Sequence, residues 1–518
     1  MNTQGEILWV DDEIDSLKSQ ILFLKNKGYE VTSVSNGHDA LELLKEKSVD
    51  VVLLDESMPG LTGLETLSRI KEMQPQLPVV MVTKNEAENI MEEAIGSQIS
   101  DYLIKPVNPN QVLLSLKKII DSRRLVSEKT TQAYQQEFRN LFMALSSNPN
   151  HEEWKELYRK LVFWELEMAR SDSAEMMEVL QSQKAEANTE FYKYVSKNYE
   201  KWINGKADAP VFSHELIKRK IAPHLEPGKP AFLILIDNLR YDQWKAIQHI
   251  VTESFRVVEE DMFYSILPTA TQYSRNALFA GMMPADIEKK YPNEWKNDDE
   301  EGGKNLHEAK FLEGQLKQLK LDHLKWQYTK ITNNEDGKLF EDNIHNYLNN
   351  DLSVIVYNFV DMLSHARTEM EVLKELASDE VSYRSLTVSW FEHSPLHRAL
   401  RKIADKDIQI FVTTDHGTVR VKTPSKCVGD RATTTNLRYK HGRNLQYEER
   451  DVLAFRDPRV VGLPRPNVSS TFIFAKEDVF LCYPNNYNYY VNYYRNTFQH
   501  GGISLEEMIV PIIRLQSK

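Results

Sequence analysis

The chain has 518 residues, and 41% hydrophobic with 27% charged side chains is ordinary globular composition, which excludes wholesale disorder. At about 150 residues per domain this length predicts about three domains. The 64 Lys and Arg against 76 Asp and Glu leave a net charge of −12, so duplex nucleic acid is repelled at long range and duplex DNA reading is disfavoured. The 2 cysteines, Cys427 and Cys482, are too few for a disulfide framework. Met1 to Trp9 has no basic n-region or long apolar stretch, and the apolar runs fall far short of the roughly 20 residues of a membrane span. A cytoplasmic protein with no membrane anchor is expected.

From Gly5 to about Arg124 short apolar runs alternate with helical periodicity. The runs are Ile7 to Val10, Val51 to Leu54, Val79 to Val82 and Tyr102 to Ile104, and the amphipathic stretches include Ser16 to Lys27, closed by Gly28, and His38 to Glu46. This alternation predicts a parallel sheet covered on both faces, with its ligand crevice at the carboxyl ends of the strands. Those ends carry Asp11 and Asp12, Asp55, Thr83, and Lys105 with Pro106. Carboxylates crowded into one crevice call for a hard cation, and an all-oxygen set suits Mg²⁺. Solvated turns after strands would use the same residue types. The constellation resembles the receiver domain of two-component response regulators. That resemblance implies that Asp11, Asp12 and Asp55 hold Mg²⁺, Asp55 takes the phosphoryl group, Thr83 and Lys105 contact it, and Tyr102 is the switching aromatic.

Residues 127–205 are rich in Glu, Lys, Gln, Met and Leu, with Trp154, Phe163, Trp164 and Tyr192 interleaved. A helical connector is predicted, broken at Ser147 to Pro149 and closed at Asn204 and Gly205. Aromatics at helical spacing serve a core more often than a partner-binding face.

After the turn-rich Pro223 to Pro230 the strand-then-acid pattern returns. Ala231 to Ile236 ends in Asp237, Val354 to Val360 in Asp361 with His365 four residues on, and Ile408 to Val412 leads to Asp415 and His416. His500 precedes two glycines, and Met508 to Leu515 reads as a last strand. Mixed Asp and His sets suit Zn²⁺ or Mn²⁺ better than Mg²⁺. Thr271 stands just before a helical stretch, where a hydroxyl is placed either to attack phosphorus or simply to cap the helix. The insertion Ala285 to Asn350 is expected to form a cap. The Tyr- and Asn-rich tract Asn485 to Asn496 offers either base stacking or plain packing in a polar surface loop.

The ordered set Asp237, Thr271, Asp361, His365, Asp415 with His416, then His500 resembles the alkaline phosphatase superfamily, and its wording around Thr271 and His500 resembles the PglZ branch. By that resemblance Asp361, His365 and His500 hold one zinc and Asp237, Thr271, Asp415 and His416 the other, with Thr271 as nucleophile. Phosphate-oxygen contacts do not carry over; Arg275 and Asn238 are candidates for them, with surface or helix-capping roles as the alternative. The expected fold is α/β multidomain: a doubly wound parallel-sheet receiver (1–124), an α-helical connector (125–205) and an α/β alkaline-phosphatase-like domain (206–518). This order resembles the PorX-type response regulators of Bacteroidota. The resemblance implies phosphorylation by a sensor histidine kinase, a homodimer on phosphorylation, and zinc-dependent phosphodiesterase activity on linear and cyclic oligonucleotides. It also implies a sigma factor partner and control of type IX secretion. A catalytically silent, metal-stabilised scaffold for a transcriptional partner is the alternative.

Overall fold

The computed structural model describes residues 4–74, 77–84, 99–171, 174–298, 300–358, 379–430 and 433–518. The chain divides into two compact units, residues 1–135 with 171–173, and residues 136–170 with 174–518.

The first unit is built on a five-stranded sheet of order β2-β1-β3-β4-β5, with β1 Gly5–Val10, β2 Tyr29–Val34, β3 Val51–Asp55, β4 Val79–Thr83 and β5 Asp101–Ile104. Every pairing is parallel. Successive residues alternate between two cores: Leu8, Val10, Val52 and Leu54 pack on one face with Leu67 and Ile70, while Ile7, Trp9, Val51 and Leu53 pack on the other with Val112 and Leu116. Both faces are therefore covered, as the continuous apolar runs require. The helix Gly63–Met73 starts from a capping box in which Thr62 and Glu65 satisfy each other's backbone N–H groups, an arrangement worth about 1 kcal/mol. Strand β2 is absent from the sequence expectation. It is an edge strand with exposed and half-exposed positions, so it lacks a continuous apolar run.

The stretch read as a helical connector is helical. The helices His151–Ser171 and Ala174–Ile203 lie almost wholly in the second unit. Trp154 packs edge-on against Phe191 with ring centroids 5.2 Å apart, and Phe191 in turn meets Tyr264 at 6.1 Å. Tyr199 and Trp202 close on Phe212. These aromatic contacts weld the helices to the domain that follows, while Phe163 stays exposed.

The second unit holds a six-stranded sheet of β6 Ala231–Ile236, β7 Phe255–Tyr264, β8 Trp326–Ile331, β9 Leu352–Tyr357, β10 Gln409–Thr413 and β11 Ile509–Ser517, in the order β7-β11-β10-β6-β9-β8. Strands β10, β6, β9 and β8 run parallel, and β11 is antiparallel to both β10 and β7. Leu235 pairs with Thr413 and Ile236 with Tyr357, which brings the carboxyl ends of β6, β9 and β10 level. The insertion after Ala285, expected as a cap, supplies the edge strand β8. No helix among the described residues is long and apolar enough to cross a membrane.

Candidate active site

The first unit gathers its sequence-assigned residues at the strand ends. Asp11 and Asp55 are buried and Asp12 is exposed, and each offers a carboxylate oxygen within 4.8 Å of the others. Lys105 Nζ bridges Asp11 Oδ2 at 2.8 Å and Asp55 Oδ1 at 2.9 Å. Asp11 Oδ1 accepts from the Glu13 amide at 2.9 Å, which fixes the carboxylate's orientation. Burial pushes the Asp55 carboxyl up and Asp11 adds to that, against the opposing pull of Lys105. Two buried carboxylates and an exposed third, short of positive charge and all oxygen, fit a hard divalent cation. The Thr83 hydroxyl donates to the Glu56 carboxylate, a partner the sequence reading missed. Tyr102 is half-buried on β5.

In the second unit β6 delivers Asp237, β10 delivers Asp415 and His416, and the turn after β7 leads into the helix Thr271–Ala280. Ala270 occupies the cap position of that helix, with no side-chain capping bond. Thr271 is thus the first helical residue, and its hydroxyl points elsewhere. Thr271 Oγ1 lies 3.0 Å from His416 Nε2 and 3.5 Å from Asp237 Oδ1. Asp237, Asp415 and His416 are buried, with one ligand atom of each within 4.8 Å of the others. His416 Nδ1 sits 3.0 Å from the Gly417 carbonyl, so the proton belongs on Nδ1 and the Nε2 lone pair faces the two carboxylates. His500 is arranged alike, with Nδ1 3.2 Å from the Thr269 carbonyl and its ring stacked on His416, centroids 4.3 Å apart. Two carboxylates and an imidazole with its second nitrogen already held form a donor set that fits zinc. Asp361 and His365 lie outside the described residues.

Arg275, one helical turn after Thr271, is fully buried. Its guanidinium pairs with Asp237, donates to Asp415 Oδ2 at 3.0 Å and to Asn358 Oδ1 at 3.2 Å, and lies 3.6 Å from Glu308 Oε1. Burial raises the Asp415 carboxyl, but the Arg275 guanidinium outweighs it and holds the group well below the ordinary carboxylate range. Glu308, also buried, accepts from Tyr328 at 2.5 Å and from Lys330 at 2.8 Å. Neither Glu308 nor Asn358 was expected; each sits in a stretch with no neighbouring Asp or His pattern to mark it. Asn238 has a left-handed backbone, φ 63°, and gives its amide to Asp415 Oδ1 at 3.3 Å. Residues of the insertion pack on the helix that begins at Thr271: Asn305 Nδ2 donates to the Thr271 carbonyl at 3.1 Å, and Tyr273 donates to Asp298 at 2.6 Å.

The His500 loop is braced from behind. Arg438 and Glu507, both buried, form a two-pronged pair at 3.0 and 2.7 Å, and Glu507 Oε1 accepts the Gly502 amide at 2.9 Å. Gly417 needs its missing side chain, because a Cβ there would collide with the Glu506 carbonyl.

A parallel-sheet receiver with an acidic crevice, joined to a domain with a buried Asp, Asp, His and Thr cluster, defines a response regulator with an alkaline-phosphatase-like output domain. Three family models match: the response regulator receiver domain over residues 7–117, the PorX response regulator linker domain over 124–203, and the BREX system PglZ alkaline phosphatase-like domain over 216–515. The last covers more than half of the chain, which therefore belongs to the PglZ family, and the three in this order make a PorX-type architecture. Among curated relatives, the transcriptional regulatory protein ZraR of Klebsiella oxytoca is 36% identical over 129 residues, 25% of this chain and 29% of that protein. SrrA of Staphylococcus aureus is 32% identical over 129 residues, 25% of this chain and 52% of that one. The chain thus spans about half or less of the length of these relatives. Among solved structures, Vibrio cholerae CheY4 is 27% identical, covering 22% of this chain and 98% of that one with a TM-score of 0.22. A Clostridium thermocellum receiver domain is 29% identical over 23% of this chain and 98% of that one, with a TM-score of 0.23.

Proposed function

We propose that the protein is a two-component response regulator whose output domain is a zinc-dependent phosphodiesterase acting on short linear and cyclic oligonucleotides. The observation that carries this is the Thr271 hydroxyl, held at the start of a helix 3.0 Å from His416 and 3.5 Å from Asp237 instead of capping that helix. Zinc, held by Asp237, Thr271, Asp415 and His416 at one position and by His500 with Asp361 and His365 at the other, supplies Lewis-acid charge to the phosphoryl oxygens. Thr271 Oγ1 is the nucleophile, and the helix N-terminus behind it favours the negative charge of the phosphate. Arg275 holds Asp237 and Asp415 through its guanidinium.

In the receiver Asp55 accepts the phosphoryl group from a sensor histidine kinase, with Mg²⁺ on Asp11, Asp12 and Asp55 and with Thr83 and Lys105 contacting the new oxygens. Phosphorylation favours a homodimer, with Tyr102 as its switching aromatic. A sigma factor partner and control of type IX secretion rest on the PorX-type architecture.

The scaffold reading has one observation in its favour: Arg275 already balances Asp237 and Asp415 within the protein. Metal analysis and turnover together separate the two. Purified protein is expected to carry two zinc ions per chain and to cleave short oligonucleotides. Thr271→Ala should keep the metal and lose turnover on the order of 10² to 10⁴-fold. Full activity in that variant would mean that water attacks directly; no wild-type turnover of any mono- or diester would leave the scaffold.

A further inference from the structure

The helix Tyr487–Tyr494 turns its aromatic side chains toward solvent. Tyr489 is 62% exposed and Tyr490 39%. The i, i+4 spacing sets Tyr489 over Tyr493 and Tyr490 over Tyr494 as near-parallel pairs, at 15° and 14°, each with centroids 6.1 Å apart. The pairs meet edge to face, Tyr489 against Tyr490 at 5.2 Å and Tyr493 against Tyr494 at 4.9 Å. Exposing this much aromatic surface gains nothing for folding, since the helix is already anchored on its inner side. There Val491 is buried against Val419, Val421 and Phe480, with Tyr487 and Tyr494 flanking.

The ladder is rigidly tied to the candidate active site. Beyond the helix, the Asn496 amide donates to Val421 O at 2.7 Å and the Val421 amide to Thr497 O at 2.9 Å. Gln499 then pairs with Val419, three residues past His416, and His500 follows to stack on His416. Six residues separate Tyr494 from His500, a span of at most about 20 Å. An oligonucleotide of a few residues is long enough to reach both.

Charge points the same way. In a chain of net charge −12, Leu481 to Leu505 contains no Asp or Glu, and its one Lys or Arg is Arg495. Lys422 and Lys426 lie exposed alongside, and Lys426 Nζ stands 5.1 Å from the Tyr487 ring. Exposed aromatic faces beside Lys422 and Lys426 match single-stranded nucleic acid, whose bases stack while its phosphates seek positive charge.

Resting on the phosphodiesterase reading above, we propose that this tyrosine ladder is the base-stacking subsite for a single-stranded oligonucleotide substrate, holding bases a few nucleotides from the phosphodiester presented to Thr271. The test uses the full zinc-loaded chain with a dinucleotide, a hexanucleotide and the baseless diester bis(p-nitrophenyl) phosphate. Changing Tyr489→Ala and Tyr493→Ala together should raise KM for the hexanucleotide on the order of tenfold. The same pair changed to Phe should keep the wild-type value, and the baseless diester should be cleaved alike by all three proteins. An unchanged hexanucleotide KM in the alanine variant would overturn the subsite. If the wild type cleaves no diester, the enzyme reading fails by itself. Fluorescence anisotropy of a labelled single-stranded hexanucleotide then decides on the ladder: binding lost in the alanine variant supports it, and equal binding overturns it. Oligonucleotide affinity untouched while a protein partner is lost would assign the helix to protein docking and likewise overturn the proposal.

Discussion

Arg275 surrounds itself with acid. Asp237, Asp415 and Glu308 all face one guanidinium in a buried space, and Asp237 and Asp415 depend on it for their charge balance, while Glu308 also has Lys330. Removing one member of a buried ion pair typically costs about 3 to 5 kcal/mol, because the other is left charged and desolvated. Arg275→Gln should therefore unfold at a clearly lower temperature than the wild type after chelator treatment. A divalent cation restores positive charge at the same carboxylates, so zinc should raise the melting temperature of the variant more than that of the wild type. Equal zinc shifts in the two proteins, measured by thermal unfolding, would show that Arg275 does not share the metal's electrostatic task. At this scale the sequence was readable where chemistry follows a strand end, as at Asp55, Asp237 and Asp415. Arg275 was less readable, because an arginine one turn after Thr271 looks like any surface helix residue until the fold turns that face inward.

At the scale of elements, the continuous apolar strands were legible, and of the edge strands only Asp101–Ile104 was. Tyr29–Val34, Phe255–Tyr264 and Trp326–Ile331 mix exposed and half-buried positions, so no uninterrupted apolar run announces them. The tract read as base stacking, aromatic packing or a polar surface loop contains the helix Tyr487–Tyr494; Asn and Tyr are weak helix formers, and tertiary anchoring through Val491 decides the outcome. The connector helices hide a second surprise. Lys184 Nζ bridges Glu165 and Glu506, each at 2.9 Å, and Arg384 joins Glu165 to Asp242. Arg240 continues to Glu380 at 2.6 Å. Through Glu506 and Arg240 this network reaches the segments that follow His500 and Asp237. Burial raises the Glu165 carboxyl, but Lys184 and Arg384 outweigh it and bring it down to about 2. A depressed carboxylate contributes stability that is present above its ordinary value near 4.5 and is lost as pH falls toward 2. Lys184→Met should thus destabilise the protein by about 3 to 5 kcal/mol at pH 7. The gap to wild type should narrow between pH 4.5 and 2, as Glu165 takes up a proton in both. Denaturant titrations at pH 7 and pH 3 check this, and a gap that stays constant would show that the lysine acts through packing alone.

Across the whole molecule one design is used twice: parallel strands carry carboxylates to their ends, and one cation from the protein holds them together. Lys105 does this in the first unit and Arg275 in the second. The order of parts was legible because each unit repeats the strand-then-acid pattern. The absorption of the connector helices into the second unit was not, because interleaved aromatics on a helix do not say which surface they will meet. The receiver's contacts set the terms of its own switch. A phosphoryl group arriving on Asp55 must draw Lys105 from its carboxylate bridge and Thr83 from Glu56, so labelling and response are separable steps. Acetyl phosphate with Mg²⁺ should label the wild type and Thr83→Ala, and should fail to label Asp55→Ala or any form in excess chelator. Light scattering should then detect a shift toward dimer in the labelled wild type and a weaker one in Thr83→Ala, whose hydroxyl no longer reports the phosphoryl group. Label incorporated by Asp55→Ala at the wild-type rate would place the phosphorylation elsewhere. A full dimer shift in labelled Thr83→Ala would mean that the Glu56 contact is not part of the switch.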